Sequence, residues 1–190
     1  MVSGLKNKTR YNQDKKLTSP TSADRRLYRR VIYSRIVNDA ADAYFGKIGN
    51  EKILDLGCGT GLVSRILKKK YPKSIVVGID TDKRSLSAAK TAANRSEMNI
   101  KYVQGNSERL PFKKNMFDIV VIGLMMHHAE KSKRGQIMRE VYRVMTKPGH
   151  LLMFETSETS GIVTVLRSAK FRDVKEVETH THKIYVGEKC

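Results

Sequence analysis

Cysteine is nearly missing: Cys58 and Cys190 are the only two, which excludes a disulfide scaffold and a multi-cysteine zinc site. A reducing cytoplasm is the compartment such usage predicts. No apolar run approaches the roughly 20 residues of a membrane span, and residues 1–20 lack the apolar stretch of a secretory signal. Acidic residues are scarce, 19 against 37 lysines and arginines, for a net charge of +18 and a pI near 10.0. Such an imbalance attracts polyanions through its long-range field, unless it is only the solvated surface of a lysine-rich proteome. Ten of the basic residues lie between Lys6 and Arg35 and face only Asp14 and Asp24. What is present is enough for one core: 39% of 190 residues are hydrophobic, the length of one domain with a short extension.

Residues 1–20 hold too few large apolar side chains to offset the entropy of ordering and read as a flexible basic tail. Residues 21–48 read as an amphipathic basic helix covering the site. Thr21 and Asp24 make a capping-box-like pair, and Leu27, Val31, Ile32 and Ile36 follow at helical spacing. Arg25, Arg26, Arg29 and Arg30 fall mostly around the other side.

Residues 49–190 read as one α/β domain. Apolar runs predict strands over 52–56, 74–79, 100–104, 117–122 and 151–154, with weaker ones at 174–179 and 183–187. Helical spacing fills the gaps: Leu62, Val63, Ile66 and Leu67; then Leu86, Ala89 and Ala93; then a stripe over 132–145; and a short helix near 161–169. Lys68, Lys69 and Lys70 complement the negative end of one helix before Tyr71 and Pro72 stop it. Lys147, Pro148 and Gly149 are expected to end another. This alternation predicts a doubly wound, Rossmann-like, mostly parallel seven-stranded sheet with helices on both faces and an antiparallel last strand.

In such a sheet ligands bind beyond the carboxyl ends of the strands, where the strand order reverses. Gly57, Gly59 and Gly61 stand there, between the first strand and its helix, and Asp80 ends the second strand. A carboxylate at that point suits both hydroxyls of a ribose. A dinucleotide fingerprint requires a small residue at 62, which is Leu62, and the loop lacks the G-K-[ST] ending of a P-loop. Asp55 before the loop favours an amino-acid cation over a pyrophosphate. Adenosine joined to a sulfonium amino acid, S-adenosylmethionine, meets these demands.

Ile53 through Gly61 (ILDLGCGTG) resembles motif I of class I S-adenosylmethionine-dependent methyltransferases, and Val77-Gly78-Ile79-Asp80 resembles their acidic-loop motif. Gly105-Asn106-Ser107-Glu108-Arg109-Leu110-Pro111-Phe112, with 117–121, is similar to the adenine-side motif of the type 11 subfamily. Residues 139–150 match the helix and turn before that family's fifth strand. The resemblance implies that Gly57, Gly59 and Gly61 line the methionine part, with Asp55 nearby and Cys58 at a loop position where the family tolerates cysteine. Asp80 would hold the ribose, and Thr81 or Asp82 would flank the adenine. Asn106, standing where the family often has aspartate, would accept from the adenine amino group through its amide oxygen, and Ser107 would offer a backbone N–H. The alternative is that Asn106 and Ser107 only make a turn. Backbone near Ile122 and Gly123 would approach the cofactor.

Methyl transfer from a sulfonium needs alignment and dryness more than acid–base groups, so neither a catalytic triad nor a metal site is expected. In the resembled family a histidine-containing segment after the fourth strand faces the site mouth. His127 is therefore the candidate for contacting or deprotonating the acceptor, against a purely structural role for His127 and His128. His180 and His182 are expected to be ordinary surface residues. The expected acceptor is a small or medium-sized metabolite. One alternative is RNA, gripped by the basic amino-terminal segment; another is a non-catalytic binding module. No asparagine-proline-proline-aromatic motif follows the fourth strand, which disfavours methylation of exocyclic base nitrogens.

Overall fold

A computed structural model describes residues 22–45, 49–179 and 182–190. Its sheet runs β3-β2-β1-β4-β5-β7-β6. The strands are β1 (Lys52–Leu56), β2 (Ile75–Asp80), β3 (Ile100–Gln104), β4 (Phe117–Gly123), β5 (Met145–Thr156), β6 (Arg172–Glu178) and β7 (His182–Lys189). β1 to β5 are parallel, and β7 is antiparallel to both β5 and β6, as the weaker alternation at the carboxyl end predicts. The helices are α1 (Ser22–Tyr44), α2 (Leu62–Lys70), α3 (Lys83–Arg95), α4 (Lys131–Val144) and α5 (Ile162–Ser168).

Because strand side chains alternate, the apolar runs feed two layers. Ile53, Val76, Ile119, Val121, Leu152 and Phe154 meet the buried residues of α1 and α2 on one face. Leu54, Leu56, Ile79, Val120, Ile122 and Met153 meet α4 and α5 on the other. β1 lies between β2 and β4, so the order reverses beside it and opens a crevice at the strands' carboxyl ends.

Two expectations about local structure are corrected. The buried face of α1 is Tyr33, Ile36, Val37 and Ala40, whereas Leu27 and Val31 are 63% and 56% exposed. The cause is facing: at 3.6 residues per turn Val31 points away from the side of Tyr33, Ile36, Val37 and Ala40, which is the side that meets the sheet and α2. The turn expected at 147–149 is absorbed into β5, which begins directly after α4. Met145 pairs with Phe117, the register shifts between Phe117 and Ile119, and the Thr146 hydroxyl donates to the Asp118 carboxylate at 3.0 Å. Such an irregularity is where a strand tolerates Pro148. Thr21, the tail 1–20 and His180 lie outside the described residues. His182 is buried rather than superficial, edge-on to Tyr33 with ring centroids 6.3 Å apart. No described helix is long and apolar enough to cross a membrane.

Candidate active site

The loop after β1 bends back on itself because its glycines take the left-handed conformation, φ +72° at Gly57 and +73° at Gly61. A Cβ at Gly61 would also collide with the Tyr102 hydroxyl, and one at Gly57 with the Met125 side chain. The Gly57 and Cys58 N–H groups donate to the Ile79 carbonyl at 2.9 and 3.0 Å, which ties the loop to the end of β2. Asp80 completes the junction. Its carboxylate accepts from the Gly59 N–H at 2.8 Å on one oxygen and from the Asp82 N–H at 2.9 Å on the other. Asp82 in turn caps α3, accepting from the Arg84 and Ser85 N–H groups. The Ser85 hydroxyl and these two amides hold its carboxyl below the usual carboxylate range.

A cleft of about 360 Å³ opens over this junction. Gly57, Asp80, Thr81, Asn106 and Ser107 line one side, and Met125, His128, Glu130 and Lys133 the other, above an apolar floor that includes Leu56 and Ile79. Lys133 bridges the two sides through Glu108 at 3.2 Å. The Asn106 amide oxygen accepts the Glu108 N–H at 2.8 Å, so it makes the turn and faces the cleft together. It retains a second lone pair for a ligand donor.

Other candidates stand back from the wall. Asp55 is 1% exposed beneath the loop and accepts from the Ser64 hydroxyl of α2. Burial pushes its carboxyl up to about 7, against the opposing pull of that hydrogen bond. Cys58 packs with Leu86, Ala89, Ala93 and Tyr102, and burial pushes its thiol up. Gly59 and Gly61 shape the bend from behind. Ile122 is fully buried, and Gly123 lies against the Phe154 ring.

The His127 ring lies beside that of His128, centroids 3.9 Å apart, one side chain back from the cleft. Its Nδ1 is 2.8 Å from Oε2 of Glu155, a fully buried carboxylate near the end of β5. The other Glu155 oxygen accepts the Met125 and Met126 N–H groups at 2.9 and 2.7 Å. A carboxylate so placed accepts a hydrogen bond from Nδ1–H, which leaves Nε2 as the ring nitrogen available to another group. Sequence reading assigned Glu155 no role; the only available signal was an acidic residue ending an otherwise apolar strand.

The cleft suits the adenosyl group that the loop leads one to expect. A carboxylate suited to a vicinal diol, Asp80, shares one side with the amide and hydroxyl groups of Asn106, Ser107 and Thr81, and the volume lies within the range of about 300–1,000 Å³ usual for ligand pockets.

A family model described as a methyltransferase domain matches residues 53–149. A ubiquinone/menaquinone biosynthesis C-methyltransferase of Wigglesworthia glossinidia brevipalpis is 34% identical over 112 residues, covering 57% of this chain and 44% of that protein. A malonyl-[acyl-carrier protein] O-methyltransferase of Legionella pneumophila is 36% identical over 112 residues, covering 58% and 37%. The match therefore spans less than half the length of these curated relatives. In fold the chain is similar to a protein from Pyrococcus horikoshii OT3, with a TM-score of 0.72 at 22% identity over 91% of this chain and 94% of that one.

Proposed function

This chain belongs to the class I S-adenosylmethionine-dependent methyltransferase family, and from that we propose that it methylates a small or medium-sized metabolite at an acidic hydroxyl or carbon. The observation that carries the reading is the His127–Glu155 pair beside the cleft, 2.8 Å between Nδ1 and Oε2. A group that arrives as a neutral thioether or tertiary amine needs no base; one that arrives as O–H or C–H does.

In this reading the cofactor supplies an electrophilic methyl group on a good neutral leaving group. Asp80 takes the ribose hydroxyls, Thr81 flanks the adenine, and Asn106 and Ser107 meet its polar edge. Gly57 lets the methionine end press on bare backbone, with Gly59 and Gly61 keeping the bend tight. Asp55 and Cys58 support the loop from below, and Ile122 and Gly123 set the position of the segment that carries His127. Nε2 of His127 receives the acceptor's proton while Glu155 holds the ring at Nδ1 and balances the charge that forms. Names of the matched relatives cover transfer to both carbon and oxygen, which fits an acceptor activated by proton removal.

Methyl-labelled cofactor incubated with fractionated cell extract tests this. Label is expected in the small-molecule fraction and unaffected by ribonuclease. Label lost on ribonuclease treatment would replace the metabolite by RNA. Binding of S-adenosylhomocysteine with no label in any fraction would favour a non-catalytic module.

A further inference from the structure

A second cavity, about 650 Å³, lies outside the active site along the surface of α2, with α1 on one side and the turn between α3 and β3 on the other. It shares no lining residue with the cleft. Four cationic side chains line it: Arg30 from α1 and Arg65, Lys69 and Lys70 from α2. Among the described residues that line it there is no carboxylate. Ser34, Asn38 and Ser96 add hydroxyl and amide donors, so seven of its ten lining residues are of the types that hold phosphate and sugar oxygens.

Local packing singles out this surface from the general positive charge. Lys68, the first of the three consecutive lysines, is spent on the Pro72 and Ser74 carbonyls at 2.9 and 2.7 Å, whereas Lys69 is exposed on the groove and Lys70 lines it with its ammonium 5.6 Å from the Tyr71 ring centroid. Asp39, the acid next along α1, is occupied by Arg35 at 3.6 Å. Leu27 and Val31, exposed on a side of α1 turned from the sheet, precede Arg30 and Ser34 by three residues each and extend the same edge. Arg65 donates to the Thr60 carbonyl at 2.9 Å, so one end of the groove abuts the glycine loop.

We propose that this groove binds the phosphodiester backbone of a nucleic acid. Four cations with no carboxylate among the described lining residues, backed by uncharged donors, complement a regular chain of phosphates. An acidic protein helix would be held mainly through an apolar seam, whereas here only Leu62, Ile66 and Met98 of the ten lining residues are apolar. No aromatic is among the described residues that line the groove, so it is a backbone site with little base preference.

The test is anisotropy of labelled 20-nucleotide RNA and DNA of one sequence with the full chain, across a salt series, with polyglutamate as competitor. A groove variant, R30A/K69A, is set against K113A/K114A, which removes the same charge from an exposed loop elsewhere. The groove variant is expected to bind at least about tenfold more weakly, with a salt slope shallower by about 1.5, and the control to bind within about twofold of the parent. S-adenosylhomocysteine binding by calorimetry should be retained in both, which separates loss of the groove from loss of fold. RNA tighter than DNA, or the reverse, identifies the source of the phosphates. Equal weakening of both variants, salt-independent binding, or displacement by polyglutamate at equal charge would overturn the proposal, the last pointing to an acidic protein instead.

Discussion

Asp80 and Glu155 work alike on opposite sides of β1 and β4. Each is a carboxylate at the end of a parallel strand, and each accepts from two backbone amides: Gly59 of the glycine loop and Asp82 of its own exit turn for one, Met125 and Met126 of the loop after β4 for the other. They differ in what remains. Asp80 lines the cleft and keeps lone pairs for a ligand, while Glu155 is sealed and spends its remaining contact on His127. On the proposed reading the same device meets a ligand on one side and holds a side chain that meets one on the other. Burial decides which.

Substitutions can break this contrast, and the largest effect is expected at Asp80. Asp80→Ala removes the proposed ribose partner and orphans two amides, each worth about 1–3 kcal/mol. S-adenosylhomocysteine affinity by calorimetry should fall about 100-fold or more; unchanged affinity would remove Asp80 from the ligand side altogether. His127→Ala should lower turnover by about 10²-fold with cofactor affinity held within about twofold, and unaltered turnover would make the residue structural.

Glu155 sharpens the comparison. Glu155→Gln keeps an acceptor for the Met125 and Met126 amides but loses the charge facing His127, so turnover should drop roughly tenfold in a protein that still melts near the parent. Glu155→Ala should lower the melting temperature as well, because buried donors are left unpaired. If the two variants melt alike, the amide contacts carry no stability.

The smallest effect belongs to Asp55, a third carboxyl, buried beneath the glycine loop on the Ser64 hydroxyl. Folding raises it from 3.8 to about 7, so the native protein holds a proton that the unfolded chain releases. Its contribution is fully present below about pH 3.8 and lost as pH rises through about 7. Asp55→Asn should therefore melt a few degrees above the parent at pH 8, with the gap closing toward pH 4. A gap independent of pH would show that Asp55 is not titrating in that range.

Much of the fold was legible because parallel strands buried on both faces are written as unbroken apolar runs, visible at 53–54, 76–77 and 119–122. Part of the cleft was legible for a related reason. Gly57, Gly61 and Asp80 answer to local demands, a left-handed bend and a strand end, that leave a mark at fixed spacing. Glu155 carries no such mark. Its partners lie about 30 residues away and meet it only because β4 and β5 pair. The buried face of α1 was misread for the opposite reason: Leu27 and Val31 have the right spacing, but spacing says nothing of whether a surface lies beneath.

Taken alone, the order of residues determined the alternation of strands and helices, the tight glycine bend and the excess of positive charge, because each depends on neighbours along the chain. The sheet decided which carboxylate faces open space, which histidine nitrogen is held, and where α1 and α2 gather their cations into a groove. Those outcomes depend on distances between segments, and only packing sets such distances.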